Sequence, residues 1–394
     1  MFLSRSQVVL VCRGFHNSLS RFFSSSNLDC RPLALRVRVD FLIRLPDLDT
    51  AAKHARLAAM SSTRDPADQF NITCTCNAII GAMCEAKRYK DALDLFHYFF
   101  RESKIKPERG YFNPIIKYHL DQGRLDEALN LYNPSLANSA SKSLIAEALV
   151  DACRLDEVIS LLKPRGGFLS SDVSKSLVRG LLLRGDLEKA NEVLGDIMGI
   201  THVHDTGYDD VANVSSVFME YWFEQGKEEE AIKCYNNVKL RKGTKATTVN
   251  TLLDLLLKYG RKTEAWSLFK EVLDSEEMFI LNSDTLNIMV NECFKMGRFD
   301  QAVQTFNKVK ASKSNYIQVS CYTNIITRFS ECGMLLEAEQ FFQKFSSDRV
   351  HPDVSTYTIM IDAYLKAGRT EDALRISNRM VDAFMGEVAW LACL

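Results

Sequence analysis

Few residues in this chain have the types and spacing that catalysis requires. Gly180 to Gly185 opens like a phosphate-binding loop, but Asp186-Leu187 follows where Lys and Ser/Thr would have to hold the phosphate and its magnesium ion. His202-Val203-His204 beside Asp205 offers two imidazoles and a carboxylate, with no third ligand at metal-site spacing. No His-x-Glu is followed by Pro-Cys-x-x-Cys, so the zinc chemistry that deaminates bases is not encoded. The 11 cysteines stand singly apart from Cys74-Thr75-Cys76, form no Cys-x-x-Cys, and read as reduced, buried thiols. Glu228-Glu229-Glu230 suits the first turn of a helix, and Trp222 and Trp266 fall on helical packing positions. These features predict a protein that is not an enzyme and has no cofactor and no metal site.

What must position any functional residue is a repeated helical unit. It is clearest in HPDVSTYTIMIDAYLKAGRTEDALRISNRM, from His351 to Met380. Tyr357, Met360, Ile361, Tyr364 and Leu365 recur at one helical face. Asp353 after Pro352 can cap that helix, and Gly368 can end it in the left-handed conformation. Thr370 then opens a second helix with Glu371 and Asp372 in its first turn, where the helix dipole favours acids. Glycine recurs at Gly123, Gly185, Gly226, Gly260, Gly297, Gly333 and Gly368, and the last four steps are 34, 37, 36 and 35 residues. Lys87 and Cys153 complete the series where glycine is missing. Five residues after each turn stands a small side chain: Ala92, Ala128, Val158, Ala190, Ala231, Ala265, Ala302, Ala338 or Ala373. A single hairpin of this kind cannot bury its own apolar faces, so stacking of neighbours is required.

The turn glycine lies five residues before the packing alanine, unlike the tetratricopeptide pattern. Repeats end in Lys106-Pro107-Glu108 or His351-Pro352-Asp353 and open with T-x-N or Y-T. The chain therefore resembles the pentatricopeptide repeat family, of the plain 35-residue P class, from about Thr73 to Met380. The resemblance implies an all-α fold, a right-handed α-solenoid superhelix of about nine helix-turn-helix repeats. It also implies a partner, single-stranded organellar RNA, read one base per repeat. By that resemblance the fifth residue of each repeat reads the base: Asn77, Asn113, Asn250, Asn287, Thr323 and Thr358. The last residue of the repeat completes the selection: Glu108, Asn282, Gln318 and Asp353 for the first, sixth, seventh and eighth. Thr323 with Asp353 would favour G, and Asn250 with Asn282 a pyrimidine. The phosphate-facing lysines of the family match Lys258, Lys295 and Lys366.

The sequence also departs from the family. Ser143, Lys175 and Ser216 hold the fifth position of the middle repeats. The second position, where an aliphatic side chain clamps the base, holds small or polar residues from Cys74 and Gly110 to Ser320 and Ser355. Glu85, Asp121, Asp151, Leu183, Glu224 and Glu331 replace the lysine elsewhere. The chain carries 49 basic and 50 acidic residues, a net charge of −1. The first 45 residues hold seven Arg and two Asp, so the remainder has 42 basic against 48 acidic, or −6. Nucleic-acid binders draw affinity from a basic excess that is missing here. Two functions follow from the reading. One is RNA binding in mitochondrial transcript processing or editing. The other is a non-catalytic scaffold that binds other pentatricopeptide or RNA-editing proteins. MEYWFEQG and VNECFKMGRFDQA are similar to plant P-class members implicated in organellar editing as non-catalytic components.

Residues 1–28 hold Arg5, Arg13 and Arg21, many serines and no acid, the composition of an organellar transit peptide. Arg21-Phe22-Phe23-Ser24 resembles the context of mitochondrial presequence cleavage, with the plastid as the alternative destination. Residues 29–72 read as linker and N-terminal capping helix over Asp49 to Met60, with Ser61 to Gln69 as loop. The repeat array spans 73–380, with first helices starting near Thr73, Arg109, Ser139, Ser171, Ala212, Ala246, Ser283, Val319 and Val354. Thr201 to Asp210 is expected to be an inserted loop, and Asn133-Pro134 and Lys163-Pro164 to shorten two second helices. Residues 381–394 are expected to form a tail without a capping helix, read first as a truncated or differently spliced end, with a docking surface as the alternative. No run of 18 apolar residues predicts membrane insertion. Deleting residues 1–26 should leave a fluorescent fusion in the cytosol; continued mitochondrial import of that deletion would refute the targeting assignment.

Overall fold

The computed structural model describes residues 30–393, apart from 45, 62, 108, 163–168, 204–207, 239–243, 276–279, 313–316 and 348–349. All of its regular elements are helices. A lead-in hairpin, α1 (Pro32–Arg44) and α2 (Leu48–Ala59), precedes the repeats. Repeat one is α3 (Pro66–Glu85) and α4 (Tyr89–His97), the latter continued by a π-helical turn, Tyr98–Glu102. Repeats two to four are α5 (Asn113–Asp121) with α6 (Leu125–Leu131), α7 (Ser139–Asp151) with α8 (Leu155–Leu162), and α9 (Ser171–Leu183) with α10 (Leu187–Val203). Repeats five and six are α11 (Tyr208–Glu224) with α12 (Glu228–Asn237), and α13 (Ala246–Lys258) with α14 (Lys262–Asp274). Repeats seven to nine are α15 (Ser283–Lys295) with α16 (Phe299–Ser312), α17 (Val319–Glu331) with α18 (Leu335–Ser347), and α19 (Val354–Lys366) with α20 (Thr370–Cys393). Contacts divide the chain into two compact bodies, one of residues 1–141 and 353–394 and one of residues 142–352. Within the second body the first helices of repeats four to eight pack each on the next, and within the first body α3 packs on α5.

Each repeat reverses through one residue in the left-handed region. The turn glycines have φ between 67° and 76°, and Lys87 and Cys153 take the same conformation at 59° and 60°. The residue after the turn then donates its N–H to a carbonyl five residues back, as in Arg261 to Leu256 (2.7 Å), Arg298 to Cys293 (2.9 Å) and Arg88 to Met83 (2.8 Å). This is the Schellman closure, which satisfies carbonyls that a helix end leaves unpaired. Its first residue is often an arginine whose guanidinium holds a carboxylate one turn on: Arg88 to Asp91 at 2.7 Å, Arg154 to Glu157 at 2.5 Å, Arg369 to Asp372 at 2.6 Å. The small residue five positions past the turn is fully buried in all nine repeats, from Ala92 to Ala373. Its methyl size lets the two helices approach, and Leu, Ile and Phe of the facing stripes close the core around it.

Several boundaries differ from the sequence expectation. The first helix of repeat one begins at Pro66, not Thr73, because Asp65 caps it by accepting from Ala67 N at 2.9 Å. Proline fits that first turn, where its missing N–H has no helical partner. Helix α1 occupies much of the expected linker, burying Leu35, Val39, Phe41 and Leu42. The expected loop 201–210 is entered by helix from both sides, up to Val203 and from Tyr208, and residues 204–207 lie outside the described part. The expected tail is instead the continuation of α20 to Cys393. The short second helices are present: α6 has 7 residues and α8 has 8. Where α6 stops, a cavity of about 450 Å³ opens against the π-helical turn, lined by Phe100, Tyr111, Phe112 and Tyr132.

The turn geometry makes a sharp prediction. An added Cβ at Gly297 would meet nothing within 4 Å, so backbone strain alone opposes it. Gly297→Ala should lower stability by about 1 kcal/mol. Cys153→Gly, at φ 60°, should raise it by a similar amount, read from the urea unfolding midpoint at constant slope.

Candidate functional site

The fifth residues lie on the first helices, within the first two turns except for Asn77 and Ser216, whose helices begin earlier, and the ninth and thirteenth positions follow them at one-turn intervals on the same face. In repeat six that stripe is Asn250, Asp254, Lys258; in repeat seven, Asn287, Asn291, Lys295; in repeat nine, Thr358, Asp362, Lys366. In repeats three to five it is Ser143, Glu147, Asp151, then Lys175, Arg179, Leu183, then Ser216, Glu220, Glu224. Asn77, Asn113, Asn250, Asn287 and Thr323 are half-buried, and Thr358 is exposed.

The structure brings Asn250 and Asn282 together. Asn250 Nδ2 donates to Asn282 Oδ1 at 3.1 Å across 32 residues. Asn282 is the N-cap of α15 and accepts from Thr285 N at 3.0 Å. Thr285 Oγ1 accepts from Asn282 N at 3.2 Å and donates to Asn250 Oδ1 at 2.7 Å. The capping box is thus extended into a staple between successive first helices. The same motif joins repeats two and three. Asn113 Nδ2 donates to Asn138 Oδ1 at 3.1 Å, Asn138 accepts from Ser141 N at 2.8 Å, and Ser141 Oγ donates to Asn113 Oδ1 at 2.5 Å. Between repeats five and six a carboxylate takes over. Asp209 accepts from Lys245 N at 2.9 Å and from Thr248 Oγ1 at 2.7 Å, and Lys245 Nζ lies 3.2 Å from its other oxygen.

Asn77 and Asn287 differ. Each has its Oδ1 buried with no hydrogen-bond partner. Position three of the following repeat is Tyr111 after Asn77 and Cys321 after Asn287. Gln318 caps α17 without a side-chain bond and is exposed. Thr323 and Thr358 donate their hydroxyls to their own helices, at Val319 O (3.0 Å) and Val354 O (2.8 Å). Asp353 caps α19 through Thr356 N and Oγ1 at 2.8 and 2.6 Å. Thr323 and Asp353 belong to different bodies. Glu108 lies outside the described residues.

The three lysines are exposed. Lys258 Nζ is 2.8 Å from Glu220 Oε1 of the preceding repeat and 5.0 Å from the Tyr259 ring centroid. Hydrogen bonds donated to Glu220, then to Tyr259, hold that ammonium above its ordinary pKa. Burial pushes the Asp254 carboxyl up, and Lys295 of the next repeat draws it back down. Arg179 meets Asp151 in the same way at 2.9 Å. Ninth and thirteenth positions of successive repeats are therefore charge-matched at three junctions of the second body: repeats three and four, five and six, and six and seven.

Sequence reasoning missed Asn138, Ser141, Thr248, Thr285 and Asp209. A signal for four of them was present. The third position of the repeat is Thr75, Ser141, Thr248, Thr285 or Thr356 in five repeats, and each is buried. A hydroxyl recurring on a buried face needs a recurring partner. Asn138 is the last residue of repeat two, directly before Ser139. The phosphate-loop resemblance dissolves: a Cβ on Gly180 would sit 2.7 Å from Leu155 and 2.8 Å from Val150, so the glycine serves helix packing. Cys293 is buried and its thiol is pushed up to about 11 by desolvation, whereas Cys30, Cys153 and Cys332 are exposed. No helix among the described residues is long and apolar enough to cross a membrane.

Comparisons with known proteins agree with the repeat pattern. A pentatricopeptide repeat domain model matches residues 69–121, a PPR repeat model matches 247–276, 284–313 and 355–383, and a PPR repeat family model matches 318–366. The chain is 40% identical over 394 residues to the mitochondrial pentatricopeptide repeat-containing protein At3g60980 of Arabidopsis thaliana, covering 93% of this chain and 94% of that one. It is 48% identical over 131 residues to a second Arabidopsis thaliana protein, At1g10270, covering 32% of this chain and 14% of that one. Among solved structures it is similar to maize PPR10, at 14% identity and TM-score 0.35, covering 89% of this chain and 63% of that one.

The staple is testable by itself. Asn282→Ala should cost about 1–2 kcal/mol and speed amide exchange in the first turn of α15, while Asn282→Asp, which keeps the acceptor, should lose far less. Unchanged exchange in Asn282→Ala would show the staple to be idle.

Proposed function

This chain belongs to the pentatricopeptide repeat family, and from that premise we propose that it is a mitochondrial, P-class member that binds single-stranded RNA through its repeats. On this reading it acts in transcript processing or editing without catalysing either. The observation that carries it is the stripe of repeats six, seven and nine, where a base-sized polar group at position five is followed two turns on by an exposed lysine. A nucleotide spanning that stripe could hydrogen-bond its base to the amide or hydroxyl and its phosphate to the ammonium. The mitochondrial relative of nearly equal length supports the compartment. Base selection would lie in Ala246 to Met380, because repeats three to five carry none of these pairs.

The charge-matched pairs favour the second reading, a scaffold for other pentatricopeptide or editing proteins. Glu220 already occupies Lys258, and acids stand at position thirteen in five repeats. The two readings separate in a salt series with the purified chain and short single-stranded RNAs. RNA binding predicts affinity that falls steeply with salt. Lys295→Ala with Lys366→Ala should weaken binding to all sequences and reduce the log–log slope by about 0.7 for each phosphate no longer neutralised. Glu220→Gln should strengthen binding by freeing Lys258. Absence of salt-sensitive affinity, together with capture of other pentatricopeptide or editing proteins from mitochondrial lysate, would replace the RNA reading with the scaffold.

A further inference from the structure

An asparagine amide is nearly symmetric in shape and antisymmetric in chemistry. Turned one way it shows a base two donors; turned the other way it shows an acceptor. What fixes the turn must be a neighbour that can bond only one end. In repeat six the neighbours do this. Thr285 Oγ1 accepts from Asn282 N, and its one proton has two acceptors in reach, Asn250 Oδ1 at 2.7 Å and Asn282 Oδ1 at 3.0 Å, the shorter contact being to Asn250. Asn282 Oδ1 accepts from Asn250 Nδ2 at 3.1 Å. Rotating the Asn250 amide by half a turn would break that bond and set two carbonyl oxygens against each other. Ser141 and Asn138 constrain Asn113 identically, at 2.5 and 3.1 Å. In repeat seven the constraint is missing. Asn287 Oδ1 is buried without a partner. Cys321, in the place of Thr285, turns its thiol to Ser283 O at 3.9 Å, and Gln318, in the place of Asn282, makes no side-chain cap bond. Asn77 is in the same condition.

We propose that the third residue of each repeat sets the polarity of the amide at position five of the repeat before it. Thr285 thereby locks Asn250 for base selection, and Ser141 holds Asn113 in the same orientation in repeat two, where Asp121 stands in place of the lysine. Asn287 and Asn77, whose buried Oδ1 atoms receive no such hydroxyl, lack the lock and discriminate poorly. The inference rests on the RNA-binding reading above. It also assigns the ligand edge. With both amide ends of Asn250 committed, the outward groups are its second N–H and the two N–H of Asn282. That donor face favours bases bearing a carbonyl oxygen, namely uracil, cytosine and guanine, over adenine, whose only acceptors are ring nitrogens. Thr285 touches no base in this scheme; it is a positioning residue.

The test is selection of a randomised single-stranded RNA pool by the full chain, with urea unfolding measured alongside. The wild type should show, at one nucleotide, a preference of about tenfold against adenine, within the range for one good base-edge contact. Thr285→Val should flatten it to about twofold or less, while Thr285→Ser, which keeps the hydroxyl, should retain it. Gln318→Asn with Cys321→Thr rebuilds the staple around Asn287 and should create a second selective nucleotide, with no loss of stability. That double variant adds bonds, so it decides the matter even if Thr285→Val unfolds. A wild type that selects bases while neither Thr285→Val nor the double variant changes the pattern overturns this inference and leaves the RNA reading standing. A wild type with no RNA affinity overturns both.

Discussion

Everything in this fold hangs on a single residue per repeat adopting φ near 70° at the end of the first helix. That conformation lets the next N–H bond a carbonyl five residues back and aims the chain into an antiparallel second helix. It also fixes where the second helix first meets its partner, and there the side chain must be small. The fully buried Ala231, Ala265, Ala302 and Ala338 follow from Gly226, Gly260, Gly297 and Gly333 by that geometry. Lys87 and Cys153 show that the constraint is conformational rather than steric. They hold the same angle where glycine would do so with less strain, and the hairpins around them keep the same closure.

This explains which parts of the molecule could be read from sequence. The turn residue and the alanine five later are local consequences of one backbone conformation, so residue type reports them directly. The helix starts are less legible, because they depend on caps that bond two or three residues ahead. Asp65 before Pro66 moved the start of repeat one by seven residues, and Asp209 lies in a helix begun ahead of the expected Ala212. The candidate site was legible as positions but not as partners. Asn250 and Asn282 could be paired by resemblance, yet the hydroxyl of Thr285 that closes their network belongs to the next repeat, and its recurrence at position three shows a buried hydroxyl without showing what it bonds. The unpartnered oxygens of Asn77 and Asn287 leave no trace in composition at all.

The charge balance also takes on a different meaning in three dimensions. Net charge of −1 argues against phosphate binding if charges act independently. On the first helices they act in pairs between successive repeats: Arg179 with Asp151, Lys258 with Glu220, and Lys295 acting on Asp254. Lys258 and Glu220 are about half exposed, at 54% and 41%. Exposed pairs of this kind contribute only about 0–1 kcal/mol each. A phosphate can displace such an acid at little cost, and the released acid returns to water. The pairs therefore keep the face neutral without ligand and weaken RNA binding without forbidding it.

The staples and the stripe share residues, and that sharing limits what each repeat can do. Where position five supplies the bond to the next helix, as in Asn113 and Asn250, the amide is both a fold element and a candidate reader. Repeat five separates the two tasks. Asp209, two turns ahead of Ser216, reaches Lys245 N and Thr248 Oγ1 and ties the start of α13 to its own helix. With the inter-repeat bond supplied from there, Ser216 does not make it, and its hydroxyl turns to Asn213 O at 2.7 Å within its own helix. A small, self-satisfied residue at position five has little to offer a base, and the acids Glu220 and Glu224 follow it on the same face. The repeat thus keeps its contribution to stacking while giving up the groups that would engage a nucleotide. Who supplies the bond between successive first helices decides, in repeats two, five and six, what position five has left to offer.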